Sequence, residues 1–173
     1  PIETAMVSVP ATTALHIGFF DLETQRLAQD VGGWHNKHLM RVSVAVLYDA
    51  ARQDYRVYRE HELDALIEDL QQLDLVVGFN VSRFDYEVLK AYTAVDLQHL
   101  PTLDMLHLLH TQLGFRLSLD HLASRNLGKA KKADGIQAVQ WFREGQWDQL
   151  IEYCKEDVSI TRELFELAID KGY

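Results

Sequence analysis

The chain has 173 residues, 47% hydrophobic and 25% charged, with 17 Lys and Arg against 26 Asp and Glu for a net charge of −9. That length suits one globular domain whose core needs neither disulfides nor a structural metal. The acidity excludes a general nucleic-acid coat protein, which neutralises phosphates with excess Lys and Arg, and the single cysteine, Cys154, excludes an internal disulfide framework.

Residues 1–13 open without Met and show no clear period, so an unstructured lead or the start of an excised domain is expected there, with one folded domain over 14–173. The run ALHIGFFDLE, Ala14–Glu23, is apolar and β-rich before it turns acidic, as a buried strand does where it reaches the sheet edge. A loop with Gly32, Gly33, Trp34 and His35 follows. Arg41–Tyr48 and Tyr55–Tyr58 read as strands joined by a polar turn near Asp49 to Asp54, as in a hairpin. A helix over about Glu60–Leu73 leads to a buried strand at Leu75–Phe79, a helix near Ser82–Tyr92 and an extended piece at Pro101–Leu103. The remainder is helical: Met105–Leu113, Leu119–Asn126, Gly135–Arg143 and Trp147–Ile169. Strands that meander first and later return through helices predict an α/β fold with a mixed sheet. No apolar run approaches the roughly 18 residues that span a bilayer, so no membrane partner is expected, and a lone cysteine fits a reducing cytoplasm.

Three stretches carry chemistry. Asp21 and Glu23, two apart at a strand end, project to the same side, the spacing at which two carboxylates share one hard cation. Alone, the triplet is equally a solvated strand end. Asp85 in FNVSRFDYEVL falls in the first turn of a helix that Asn80 or Ser82 would cap, where the helix dipole favours an acid whatever else it does. Tyr153 and Asp157 stand at i and i+4 on the last helix, stacked on one face beside the apolar stripe. Without the other motifs they read as a tyrosine at the core margin and a surface acid.

Taken in order, these motifs resemble the DEDD, or DnaQ-like, 3′-to-5′ exonuclease superfamily, and the Tyr-(x)3-Asp form resembles its DEDDy branch. The resemblance spans Leu15 to about Phe165. Around LGKAKK, Gly145 and YCKEDV the chain is similar to predicted bacterial exonuclease domains joined to helicases, and to proofreading domains of family B polymerases. It implies a ribonuclease H-like mixed sheet with flanking helices and two divalent cations, Mg²⁺ or Mn²⁺. It also implies release of nucleoside 5′-monophosphates from the free 3′ end of a DNA or RNA strand, expected to be single, with a helicase or polymerase as the kind of protein partner. In the implied roles Asp21 bridges both ions, Glu23 and Asp157 complete the first, Asp85 holds the second, and Tyr153 orients the attacking water. Oxygen ligands suit such hard ions better than zinc, and four crowded carboxylates without metal raise one another's pKa.

Further residues are candidates around that set. Leu22 and Phe84 are placed to pack a terminal nucleotide, although Phe84 fits a core equally, and Asn80 contacts substrate or fixes its loop. Lys129, Lys131 and Lys132, with Arg125, form a basic stretch suited to backbone phosphates or simply to solvent. Trp34 offers a stacking platform for a terminal base. Asp104 reads equally as a helix-start acid and as support behind the metal site. His107 and His110 lack the Cys or HExxH partners of a zinc site. Two other functions stay open: an exonuclease-like binding or interaction module without turnover, and an endonuclease or phosphodiesterase on the same fold.

Overall fold

Among the described residues five strands form one sheet in the order β3-β2-β1-β4-β5, with β1 at Ile17–Thr24, β2 at Val42–Asp49, β3 at Asp54–Arg59, β4 at Leu75–Gly78 and β5 at Thr102–Asp104. The computed structural model describes residues 14–130 and 133–172. The lead segment 1–13 and the lysines 131 and 132 lie outside the described residues. β1, β2 and β3 run antiparallel, and β4 and β5 run parallel to β1. This is the mixed, helix-flanked sheet of a ribonuclease H-like fold. The β2–β3 hairpin turns on Asp49, whose Oδ1 accepts the N–H groups of Ala51 and Arg52.

Alternation along β1 assigns the layers. Phe20 and Leu22 face a core shared with α1 (Leu63–Gln71) and α2 (Asp85–Leu89), where Leu66, Leu70, Tyr86 and Leu89 are buried. Phe19 faces the opposite core, built with Leu150, Cys154 and Val158 of α6 (Trp147–Lys171). Asp21 and Glu23 therefore follow Phe19 onto the α6 face. The remaining helices, α3 (Met105–Leu113), α4 (Leu119–Leu127) and α5 (Gly135–Arg143), add Met105, Leu119, Ala123 and Ala138 to the α6-side core. Strand β2, buried at every position, needs its near-continuous apolar run because both faces are covered. Removing a fully buried leucine such as Leu66 or Leu150 would cost about 2–5 kcal/mol. Among the described residues no helix is long and apolar enough to cross a membrane.

One predicted element is corrected. The helix expected over Ser82–Tyr92 is only Asp85–Leu89, and neither Asn80 nor Ser82 caps it. Instead the backbone N–H groups of Asn80 and Ser82 both donate to the Asp104 carboxylate, and Asn80 sits at φ +64°. The turn is shaped by an acid from β5, so its own polar residues are not used as caps.

Candidate active site

The site begins where the sheet comes apart. β4 pairs with β1 only as far as Phe19↔Val77, and β1 carries a bulge between Glu23 and Thr24 against β2. Bulges of this kind re-aim side chains at a strand end. At Gly78 an added Cβ would fall 2.8 Å from Val81 Cβ and 3.2 Å from the Phe20 carbonyl, so a glycine lets the chain leave the sheet tightly there. The chain then returns over β1, and Asp85 Oδ1 accepts the Leu22 N–H at 3.0 Å. Asp85 thus satisfies a strand amide beyond the end of β4, between the two acidic residues of β1.

Helix α6 supplies the opposing side, with Tyr153, Cys154 and Asp157 all buried. The Cys154 thiol donates to the Asp21 carbonyl at 3.5 Å and lies 3.7 Å from Asp21 Oδ2. Ligand atoms of Asp21, Glu23 and Cys154 all fall within 4.8 Å of one another. Burial, followed by the charges of Asp21, Glu23, Asp157 and Asp85, pushes the thiol well above its ordinary value. Asp85 is itself pushed well up, first by burial and then by Asp21, with Asp104 adding to the effect and the Leu22 N–H opposing it.

These groups open onto a cleft of about 580 Å³, bordered by Asp21, Glu23, Asp85 and Tyr153 and walled by Leu22, Leu27, Trp34, Met40, Phe84 and Ile136. Asp157 is buried, one turn along from Tyr153, and does not line it. Trp34 is exposed and meets Phe84 edge to face at 6.3 Å, while Trp141 packs edge-on against Tyr153 at 5.9 Å and braces the phenol. Among the described residues lining the cleft none is Lys, Arg or His.

The outer candidates divide. Leu22 and Phe84 line the cleft, and Phe84 also packs against the α1/α2 core. Asn80, Arg125 and Lys129 do not line it. Asn80 Oδ1 accepts from Arg116 at 3.3 Å, Arg125 is exposed on α4, and Lys129 donates to both Glu163 oxygens at 2.7 Å, tying the chain after α4 to α6. Lys131 and Lys132 fall outside the described residues. Asp104 caps α3 through the N–H groups of Leu106 and His107 and also accepts from the N–H groups of Asn80 and Ser82 in the turn that leads to Asp85. Cys154, read from sequence as an apolar-stripe residue, also touches the site. Its i, i+3 relation to Asp157 was the available signal.

Residues 18–169 match the profile of the RNase H superfamily. Among solved structures the chain is similar to the family B DNA polymerase from the hyperthermophilic archaeon Pyrobaculum calidifontis, with a TM-score of 0.68 and 16% identity over 90% of this chain. That identity speaks for the fold alone, and the chain spans only 25% of the polymerase. No curated protein matches it in sequence.

Proposed function

This chain belongs to the RNase H superfamily, and on that premise we propose that it is a metal-dependent 3′-to-5′ exonuclease of the DEDDy kind, releasing nucleoside 5′-monophosphates from a DNA or RNA strand. Superfamily membership points to nuclease chemistry in the broad sense. The finer reading is supported by one observation: Asp21, Glu23, Asp85 and Tyr153 line a single cleft, with Asp85 bonded to the strand amide between the two β1 acids and Asp157 buried one turn along α6 from Tyr153.

The donor set fits hard divalent cations. Burial and like charges oppose ionisation of Asp85, a conflict that a cation relieves, and four carboxylates against one sulfur make an oxygen-rich donor set. Asp21, Glu23, Asp85 and Asp157 would hold Mg²⁺ or Mn²⁺. When bound, such ions lower the pKa of water and stabilise charge at the reacting phosphate. The chain's own part is positional. Tyr153, braced by Trp141, presents a hydroxyl to orient the attacking water, while Leu22, Phe84 and Trp34 give the terminal nucleotide an apolar seat. A cleft of about 580 Å³ is in the range that takes a small ligand. Lys129, Lys131 and Lys132 belong to this reading as backbone contacts, and a helicase or polymerase as the protein partner.

The test is digestion of a 5′-labelled single strand by pure protein with Mn²⁺. The expected result is a ladder shortened one nucleotide at a time, with 5′-monophosphates as product, while 3′-phosphorylated and circular strands resist. Rapid cleavage of a circle would make the protein an endonuclease, and no cleavage of any DNA or RNA would make it a binding module.

A further inference from the structure

A second, polar recess of about 550 Å³ lies on the far side of the β4–α2 turn from the cleft. Neighbouring residues of that turn divide between the two: Phe84 and Asp85 line the cleft, and Ser82 and Arg83 line the recess. The 3₁₀ segment Trp34–Leu39 divides in the same way, with Trp34 in the cleft and Lys37 in the recess. The Trp34–Phe84 ring pair forms a ridge on the cleft side, three residues from Lys37 and one from Arg83 of the recess. A small hollow continues the recess through Arg83 and His107 to Asn80 and Arg116.

In a chain of net charge −9 this shelf gathers Lys37, Arg83 and Arg116, with ring donors from His107 and His110. Its acids are already engaged. The Asp104 carboxylate accepts from the backbone N–H groups of Asn80, Ser82, Leu106 and His107, and Glu87 pairs with Lys90 at 2.6 Å. Among the described residues Lys37 and Arg83 have no ion-pair partner, and Arg116 makes one long hydrogen bond, to Asn80. Lys129, by contrast, would share its ammonium with Glu163 when it meets a phosphate. Among the described residues the cleft lining holds no Lys, Arg or His, whereas the recess is lined by Lys37 and Arg83, cations of the kind that neutralise a strand's backbone.

We infer that Lys37, Arg83 and Arg116 form a phosphodiester-binding shelf that seats the backbone of a single strand whose terminal nucleotide crosses the Trp34–Phe84 ridge into the cleft. The inference rests on the cleft being the seat of a strand end. Asp104 ties the backbone of the turn in which Arg83 immediately precedes Phe84 and Asp85, and Arg116 meets that turn through the Asn80 side chain. Phosphate contacts of this kind set register and carry no base preference.

The experiment measures equilibrium binding of a labelled single-stranded oligonucleotide by anisotropy, on an Asp21→Asn background with Mg²⁺ so that turnover does not intrude. Adding Arg83→Ala and Arg116→Ala, both at exposed positions, is expected to weaken binding about tenfold and to reduce the slope of log K against log salt by about 1.4, at roughly 0.7 for each single-strand phosphate that is no longer neutralised. A single methylphosphonate, which removes one backbone charge, should weaken binding to the background protein at one linkage near the 3′ end and have no further effect on the Arg variants. The shelf is overturned if the Arg variants keep affinity and salt slope, if no methylphosphonate position matters, or if the background protein does not bind the strand at low salt. Arg-dependent binding together with no hydrolysis by the unsubstituted protein would sink the exonuclease reading and leave the shelf standing. Hydrolysis with shelf-independent binding would do the reverse.

Discussion

Glu60 and Asp85 are both carboxylates drawn into the protein, and their surroundings treat them in opposite ways. Glu60, just after β3, accepts from Tyr92 Oη at 2.6 Å, Arg41 Nε at 2.7 Å and Gln25 Nε2 at 2.8 Å. Burial pushes its carboxyl upward, but the bonds from Tyr92, Gln25 and Arg41 outweigh it and hold the group below the ordinary glutamate range. Asp85 has the Leu22 amide and faces Asp21 and Asp104, so burial and like charge push it up together. The satisfied hub also fastens the frustrated site. Gln25, two residues beyond Glu23, donates to the Val42 carbonyl as well as to Glu60, and Tyr92 accepts from the Val42 N–H. A firm frame surrounding a costly centre is the arrangement expected where local rules yield to function.

The comparison breaks most visibly in turnover. Asp21→Asn or Asp85→Ala should lower kcat by about 10³-fold or more, measured as mononucleotide release, because each removes charge from the cluster that would hold the cations. Near-normal turnover in either would reduce the cluster to a structural accident. Metal should next act on stability: Mn²⁺ at a hundredfold excess over its Kd should stabilise the protein by about 2.7 kcal/mol, seen as a rise in Tm that Asp85→Asn blunts. Tyr153→Phe should cost about 10²-fold in kcat and keep that metal-dependent rise, since it deletes an orienting hydroxyl and no carboxylate. If the rise disappears with the hydroxyl, the assigned role is wrong.

Two matched substitutions then read the contrast directly in metal-free protein. Glu60→Gln should destabilise by about 1–2 kcal/mol, because charge-assisted bonds at a partly exposed group are lost. Asp85→Asn should instead stabilise by up to about 1 kcal/mol, since it keeps an acceptor for Leu22 and sheds a buried charge among like charges. Urea midpoints of the same sign for the pair would contradict the picture. The smallest effect is in acid. Glu60 ionises below its ordinary 4.5 in the fold, so its contribution is complete above that value and is lost as pH falls through the folded value. Glu60→Gln should therefore flatten the acid limb of the urea midpoint measured against pH, and an unchanged limb would show that the hub contributes nothing.

What was legible from residues alone was whatever depends on short spacing. The two-residue step from Asp21 to Glu23 requires a common face of a strand, and the four-residue step from Tyr153 to Asp157 requires a common face of a helix, whatever packs against them. The hairpin, the buried strands and α6 followed from the same periods, with boundaries moved by a few residues at most. Asp85 was found by its place among the motifs, yet its local surroundings suggested a helix-start acid, and its bond to Leu22 crosses 63 residues of chain.

Such long-range choices were made only in three dimensions. Asp104 shapes a turn more than twenty residues before it, because β4 and β5 lie side by side and bring its carboxylate under the N–H groups of Asn80 and Ser82. Cys154 became part of the acidic centre because α6 packs across β1, and Lys37 joined Arg83 and Arg116 because the loop after β1 folds against α2. Period and spacing are properties of one element and can be read along the chain. Which charges meet, and which of them are satisfied, depends on how β1, the β4–α2 turn and α6 come together, and that is decided by packing between segments far apart in sequence.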